Sequence, residues 1–145
     1  MALNSIFDIA GSGMAAQSVR LNTTASNLAN AQAAAGSEEE AYRARHPVFA
    51  QMHQALMQGN TIVTTSDESA VGVQVTEIVE SQAELERRFE PNHPKADDEG
   101  YVYYPNVNVV EEMANMISSS RSFQMNVEMM NSAKTMMQRL LTLGQ

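Results

Sequence analysis

The feature that most limits how this chain can fold is a seven-residue spacing of apolar side chains at both of its ends. Phe7, Met14, Leu21 and Leu28 stand seven apart, with Leu3, Ala10, Gln17, Thr24 and Ala31 as a second row. Such spacing returns to one helix face every two turns, so it predicts a helix over residues 3–32 with that face set against another helix. Ser5, followed three positions later by Asp8, has the form of a capping box at its start. The far end repeats the device over residues 107–143. Val109, Met116, Phe123, Met130 and Met137 make one row there, and Met113, Ser120, Val127, Lys134 and Leu141 the adjoining one. Glu111 and Glu112 near the start, with Lys134 and Arg139 near the end, suit the helix dipole, and Gly144 is a natural stop.

What these segments lack is charge. Between residues 1 and 37 only Asp8 and Arg20 are charged, and between Met113 and Ala133 only Arg121 and Glu128. An isolated coiled coil carries charged flanks that keep it soluble and choose its partner. Here the flanks are Asn, Ser, Thr, Gln and Ala, which can be covered without burying an unpaired charge at a cost of several kcal/mol. The same residues weaken each helix alone: Gly11 and Gly13 each cost about 1 kcal/mol relative to Ala, and Ser, Thr and Asn compete for backbone hydrogen bonds. The expectation is a pair of terminal segments that order fully only when neighbours bury them. Eleven methionines, many in the C-terminal segment, add an adaptable packing surface. Periodicity alone favours a plain intramolecular hairpin, and the charge deficit brings an assembly interface level with it.

Between the two ends the pattern changes. Ala33–Glu40 is small, polar and acidic and reads as a mobile loop, and Arg45–Leu56 reads as extended. Val71, Val73 and Val75 alternate with Gly72 and Gln74 at strand period, and Glu84–Glu90 is expected to return antiparallel to them. Asn92, Pro94 and Asp97–Gly100 mark a turn before Tyr101–Tyr104. The expected fold is therefore α+β. Long terminal helices at 1–32 and 107–145 pack as a coiled-coil-like pair, with a small β-rich insertion at 33–106 between them.

Composition excludes much else. The chain has 145 residues, room for one ordinary domain. A net charge of -8 with nine scattered basic residues argues against nucleic acid as a partner. Cysteine is absent, which removes thiolate chemistry. No apolar run approaches the roughly 20 residues of a membrane helix. No Lys or Arg precedes Arg20, so the start lacks the form of a cleaved signal peptide. His46, His53 and His93 have no metal-site spacing, and Asp97, Asp98 and Glu99 lack the alternation of an EF-hand loop. No strand precedes Gly11 and Gly13, and no serine sits in a nucleophile elbow. No catalytic, cofactor-binding or metal-ligating residue is nominated, and no small-molecule substrate is expected. A stand-alone helical adaptor and an enzyme built on the acidic β region are the alternatives.

Several runs resemble a known family. Ile6, Phe7, Asp8, Ile9, Ala10, Gly11 and Ser12, then Ala15–Ser18 with Arg20, Leu21 and Asn22, then Ala25–Asn30, are similar to the signature of flagellar rod and hook proteins. Their proximal-rod branch is nearest. Tyr42–Ala44 with Pro47–Phe49 resemble that branch too, as do Val79–Gln82 leading to Glu90–Pro94, and Pro105–Val107 running on to Val110–Met113. So do Ser120–Gln124, Asn126, Val127 and the ending Leu141–Gln145. The resemblance implies a non-enzymatic subunit of the periplasmic rod, its terminal helices paired in an inner tube. It implies export through the flagellar type III apparatus without cleavage. Implied partners are other rod proteins, further copies of the chain, the membrane-embedded ring and that export apparatus. Ala41 departs from the pattern, standing where many relatives have Gly, so a left-handed backbone is not expected there. The acidic run Glu38–Glu40 departs as well. The assembly surface is assigned to Leu3, Phe7, Met14, Leu21, Leu28, Val109, Met116, Phe123, Met130 and Met137, with Asn27, Asn30, Arg121 and Asn126 setting register.

Overall fold

A computed structural model describes residues 2–53, 57–58, 61–62 and 70–143 of the chain. In chain order the elements are α1 (Ala2–Asn30), β1 (Arg45–His53), β2 (Met57–Gln58), β3 (Thr61–Ile62), β4 (Ala70–Glu80), β5 (Glu86–Phe89), β6 (Tyr101–Tyr104) and α2 (Val109–Leu143). The architecture is α+β: two long terminal helices with small antiparallel sheets between them.

Both helices fall where the seven-residue spacing puts them, but their ends differ from expectation. Helix α1 begins before Ser5 and has no acidic residue in its first turn, so the Ser5–Asp8 pair is not its cap. Helix α2 is capped instead by Asn108, whose Oδ1 accepts from the Val110 and Glu111 amides at 3.1 and 3.4 Å. Glu111 and Glu112 lie in its first turn as expected, whereas its last turn holds no base, because the helix continues past Arg139 to Leu143. Gly144 lies outside the described residues.

Helix α1 is the middle layer. Helix α2 packs along one flank of it, the β1–β4 ribbon packs along another, and α2 touches none of the described strands. The ribbon is antiparallel from Arg45 opposite Glu80 to His53 opposite Ala70, with irregularities after Val48 and after Met52. Its approach to α1 depends on Gly72, which has φ of +149° and leaves no room for a Cβ above the Ser12 hydroxyl. That hydroxyl donates to the Ile9 carbonyl at 2.9 Å and accepts from the Val73 amide at 3.2 Å.

The expected return of Glu84–Glu90 onto the valine strand is not found. Strand β5 pairs with β6 across the Asn92–Gly100 turn, and β1 takes the place beside β4. Strand propensity marks extended segments but not partners, and the short turn makes β5–β6 the more local pairing. The 33–40 segment is likewise not a free loop. Ala35 exchanges two backbone hydrogen bonds with Tyr103, at 2.9 and 3.0 Å, and the Lys95 ammonium donates to the Ala34 carbonyl at 2.9 Å. Its small residues let backbone meet backbone. Ala41 is buried, and among the described residues only Gly72 and Gly100 have positive φ, in keeping with the absence of a left-handed turn at Ala41.

The interior is small. Its buried apolar residues are Val102, Pro105 and six alanines, Ala10, Ala16, Ala35, Ala41, Ala44 and Ala133, among the described residues. Thr23, Thr24, Asn27, Glu112 and Ser119 are buried with them. The bulky aliphatic side chains lie mostly outside.

Candidate assembly interface

The inner face of α2 explains where those bulky side chains went. Glu112, Ser119 and Ala133 are buried, Asn126 completes their seven-residue row, and Met116, Phe123, Met130 and Met137 flank that row half-buried. Of the second seam row expected from the sequence, Ser120 and Val127 are half-buried, but Met113, Lys134 and Leu141 are exposed, Leu141 at 73 %. The reason is close approach. A Cβ on Gly13 would sit 2.9 Å from Asn126 Nδ2, and Arg20 of α1 donates to Asn115 Oδ1 of α2 at 2.9 Å. Helices this near can hold only small or polar residues between them. On α1, Ala10 and Thr24 are buried, Phe7, Met14, Leu21 and Leu28 are half-buried, and the Gln17 amide oxygen is buried without a hydrogen bond among the described residues. Leu3 belongs to α1, but its side chain lies outside the described set.

An exposed flank of α2, beside that seam, then carries what a larger core would have absorbed. Met125 is 66 % exposed, Met129 51 %, Met136 60 % and Leu140 59 %, and their steps of four, seven and four place them in one stripe. Val110, Met113 and Ile117 are exposed as well, nearer the start of the helix and on another side of it. Full burial of one such side chain is worth roughly 1.5–3 kcal/mol, which the single chain forgoes at each position. An apolar face of this extent on an elongated helix marks an interaction surface. Val109 and Arg121 are also exposed, and Arg121 has no ion pair among the described residues.

The four proposed polar register residues occupy different places. Asn126 lies in the helix seam against Gly13. Asn30 donates from Nδ2 to the Ser26 carbonyl of its own helix at 2.8 Å. Asn27 is completely buried inside the chain and organises a junction. Its Nδ2 donates to the Arg45 carbonyl at 2.8 Å, while its Oδ1 accepts from the Arg45 amide at 2.9 Å and from the Tyr42 hydroxyl at 2.8 Å. The amide group thus pairs with both backbone groups of Arg45, as a neighbouring strand would. Asn106 repeats the device just before α2. Its Oδ1 accepts from the Ala44 amide at 2.8 Å and its Nδ2 donates to the Ala83 carbonyl at 2.9 Å. Arg43 donates to the Ser81 and Ala83 carbonyls, and the Ser81 amide donates to the Ala44 carbonyl. The end of α1, the start of β1, the end of β4 and the approach to α2 are tied together at this point.

Sequence reasoning quoted Tyr42, Arg43 and Asn106 as motif residues without a role, and it passed over Arg20 as a cross-helix donor. The Asn108 cap was legible as an Asn three positions before Glu111.

Chemistry elsewhere is structural. On β5–β6 the Arg87 guanidinium lies 3.7 Å from the Tyr101 ring centroid and Arg88 4.7 Å from that of Tyr104. The Arg87–Glu99 and Arg88–Glu86 ion pairs are exposed and screened by solvent. The Tyr104 hydroxyl donates to Glu90 at 3.2 Å, and desolvation followed by the Glu90 charge holds this phenol above its ordinary value. Asp97 uses Oδ1 to accept from the Glu99 and Tyr101 amides, closing the turn.

Comparison with known proteins agrees with this architecture. Residues 7–33 match the family described as flagella basal body rod protein, and residues 98–143 match the C-terminal family of the flagellar basal body rod FlgEFG proteins. The flagellar basal-body rod protein FlgC of Salmonella typhimurium is 48% identical over the full length of both chains. The protein of that name from Escherichia coli O6:H1 is 49% identical over the same extent. The chain belongs to the FlgC family of flagellar basal-body rod proteins. A distant FlgC, from Borreliella burgdorferi, is 33% identical and still covers 100% of this chain and 99% of its own. As an FlgC-family member the chain is a structural subunit of the basal-body rod, assembling with other rod components, and not an enzyme. The two family matches fall on the two elements that form the helix pair, α1 and α2.

Proposed function

We propose that this FlgC-family subunit self-assembles through its terminal helices into the periplasm-spanning shaft of the flagellum and transmits torque through packed helix contacts. The observation that carries the reading is the uncovered Met125–Leu140 stripe of α2, set above an interior made largely of alanine. A chain that leaves this many large apolar side chains exposed while burying alanines has much packing energy still to gain from other chains. In this reading residues 1–32 and 107–145 form the wall of the tube. Residues 33–106 form an outer piece, which the Asn27 and Asn106 junction ties to both helices. Of the assigned surface, Met116, Phe123, Asn126, Met130 and Met137 with Phe7, Met14, Leu21 and Leu28 serve the helix pair, and Val109 and Arg121 face neighbours. Export through the flagellar type III apparatus without a cleaved signal peptide, and contact with the membrane-embedded ring, complete the proposal.

The test replaces Met125, Met129, Met136 and Leu140 together by Gln, all of them exposed in the single chain. The variant is expected to be exported and to keep its circular dichroism spectrum while cells fail to build rods or swim. Normal motility in that strain would contradict the reading.

A further inference from the structure

Resting on that assembly reading, we infer that the apolar stripe of α2 seats on the outer face of α1 in a second copy of this chain, with the two helices antiparallel and Leu140 over Gly11. The outer face of α1 is a row of small side chains. Ala15, Ser18, Asn22, Ala25 and Ala29 are exposed, and nothing lies within 4 Å of where a Cβ on Gly11 would be. The stripe on α2 is long, flexible and apolar. Its steps from Leu140 through Met136 and Met129 to Met125 are four, seven and four. Gly11, Ala15, Asn22 and Ala25 run in steps of four, seven and three, so an antiparallel helix sets each bulky side chain over a small one.

Charge selects the same pairing. The chain stands at -8 overall, yet from Met113 onward α2 carries Arg121, Lys134 and Arg139 against the single acid Glu128. The one charge on the outer row of α1 is Asp8, and Leu140 over Gly11 brings Arg139 within about one helical turn of it. Arg20, the other charge of α1, is engaged with Asn115 inside its own chain.

The register has a consequence for the assembly. Within one chain Gly13 meets Asn126 and Arg20 meets Asn115. Seating Leu140 on Gly11 therefore displaces the second copy along the helix axis by about 20 Å at 1.5 Å per residue. Two different faces joined with an axial stagger never close into a ring, so the contact repeats as an open helical polymer.

The chain has no cysteine, so engineered thiols report the contact without background. Cells would co-express two single-cysteine variants, Ala15→Cys and Met136→Cys, and their isolated basal bodies would be oxidised. A disulfide needs Cα atoms within about 7 Å, so the inference predicts a disulfide-linked dimer on a non-reducing gel. Asn22→Cys with Met129→Cys should give a second dimer. The mismatched pair Ala15→Cys with Met129→Cys, about 10 Å out of register, should give none. Rods that assemble with no dimer from either matched pair, or with equal dimer from the mismatched pair, overturn the inference and leave the assembly reading standing. Should a pair prevent rod formation, exchanging Asp8→Arg and Arg139→Asp decides. Each alone should reduce swimming and the two together restore it, and no restoration overturns the pairing. Assembly that survives loss of the whole apolar stripe would instead overturn the reading beneath it.

Discussion

Asn27 shows how a single polar side chain can do the work of a strand edge. It is completely buried and uses both amide atoms on Arg45 and Tyr42. Asn27→Ala would remove three hydrogen bonds around a buried amide at about 0.5–1.5 kcal/mol each, so chemical denaturation should show a loss of roughly 2–4 kcal/mol. A variant as stable as the parent would deny the junction its role. Gly13 makes the complementary case. Gly13→Val would drive its side chain into Asn126 and cost about 1–3 kcal/mol by overpacking. Truncating Asn126 to Ala in the same chain should recover part of that loss, and strictly additive effects in a double-mutant cycle would contradict the contact. Tyr104 supplies a pH test. Its phenol is held above 10.0 in the fold by desolvation and then by Glu90, so it favours the folded state while neutral. That contribution is present below the unfolded value and is lost as pH rises through the folded one. Glu90→Gln should move the Tyr104 ultraviolet titration downward.

At the scale of elements, the two helices and the strand character of Arg45–His53 and Ala70–Glu80 were legible, because seven-residue and two-residue periods are direct projections of helix and strand geometry. The seam of α2 was not. Met113–Leu141 and Glu112–Ala133 are rows one residue apart, and hydrophobicity favours the first. The close contact at Gly13 selects the second, which is small and polar. Periodicity reports that a face is apolar, whether it meets α1 or a neighbouring chain, so the stripe left outside and the stripe put inside carry one signature. The polar junction was half legible: Asn27 stood out, but its partner Arg45 lies 18 positions away. The missed start of α2 offers an element-scale prediction. Asn108→Ala should cost about 1 kcal/mol by removing the acceptor for two orphan amides, while Asn108→Asp should cost far less. Thermal melts of the pair that coincide would refute the cap.

The whole molecule is arranged as α2, α1 and ribbon, with α2 covered on one side only. A small interior of alanine and buried polar groups gives the single chain a modest share of the stability its composition could supply, and much of the remainder sits in the exposed apolar side chains of α2. This is the physical form of a building unit: specific inside through hydrogen-bonded junctions, adhesive outside through methionine and leucine. The most direct test of that account is oxidative footprinting of Met125, Met129 and Met136 by peroxide, read by mass spectrometry in the isolated chain and in purified basal bodies. The account predicts rapid oxidation of all three in the isolated chain and strong protection of all three in the assembled rod. Equal oxidation in the two samples would contradict it.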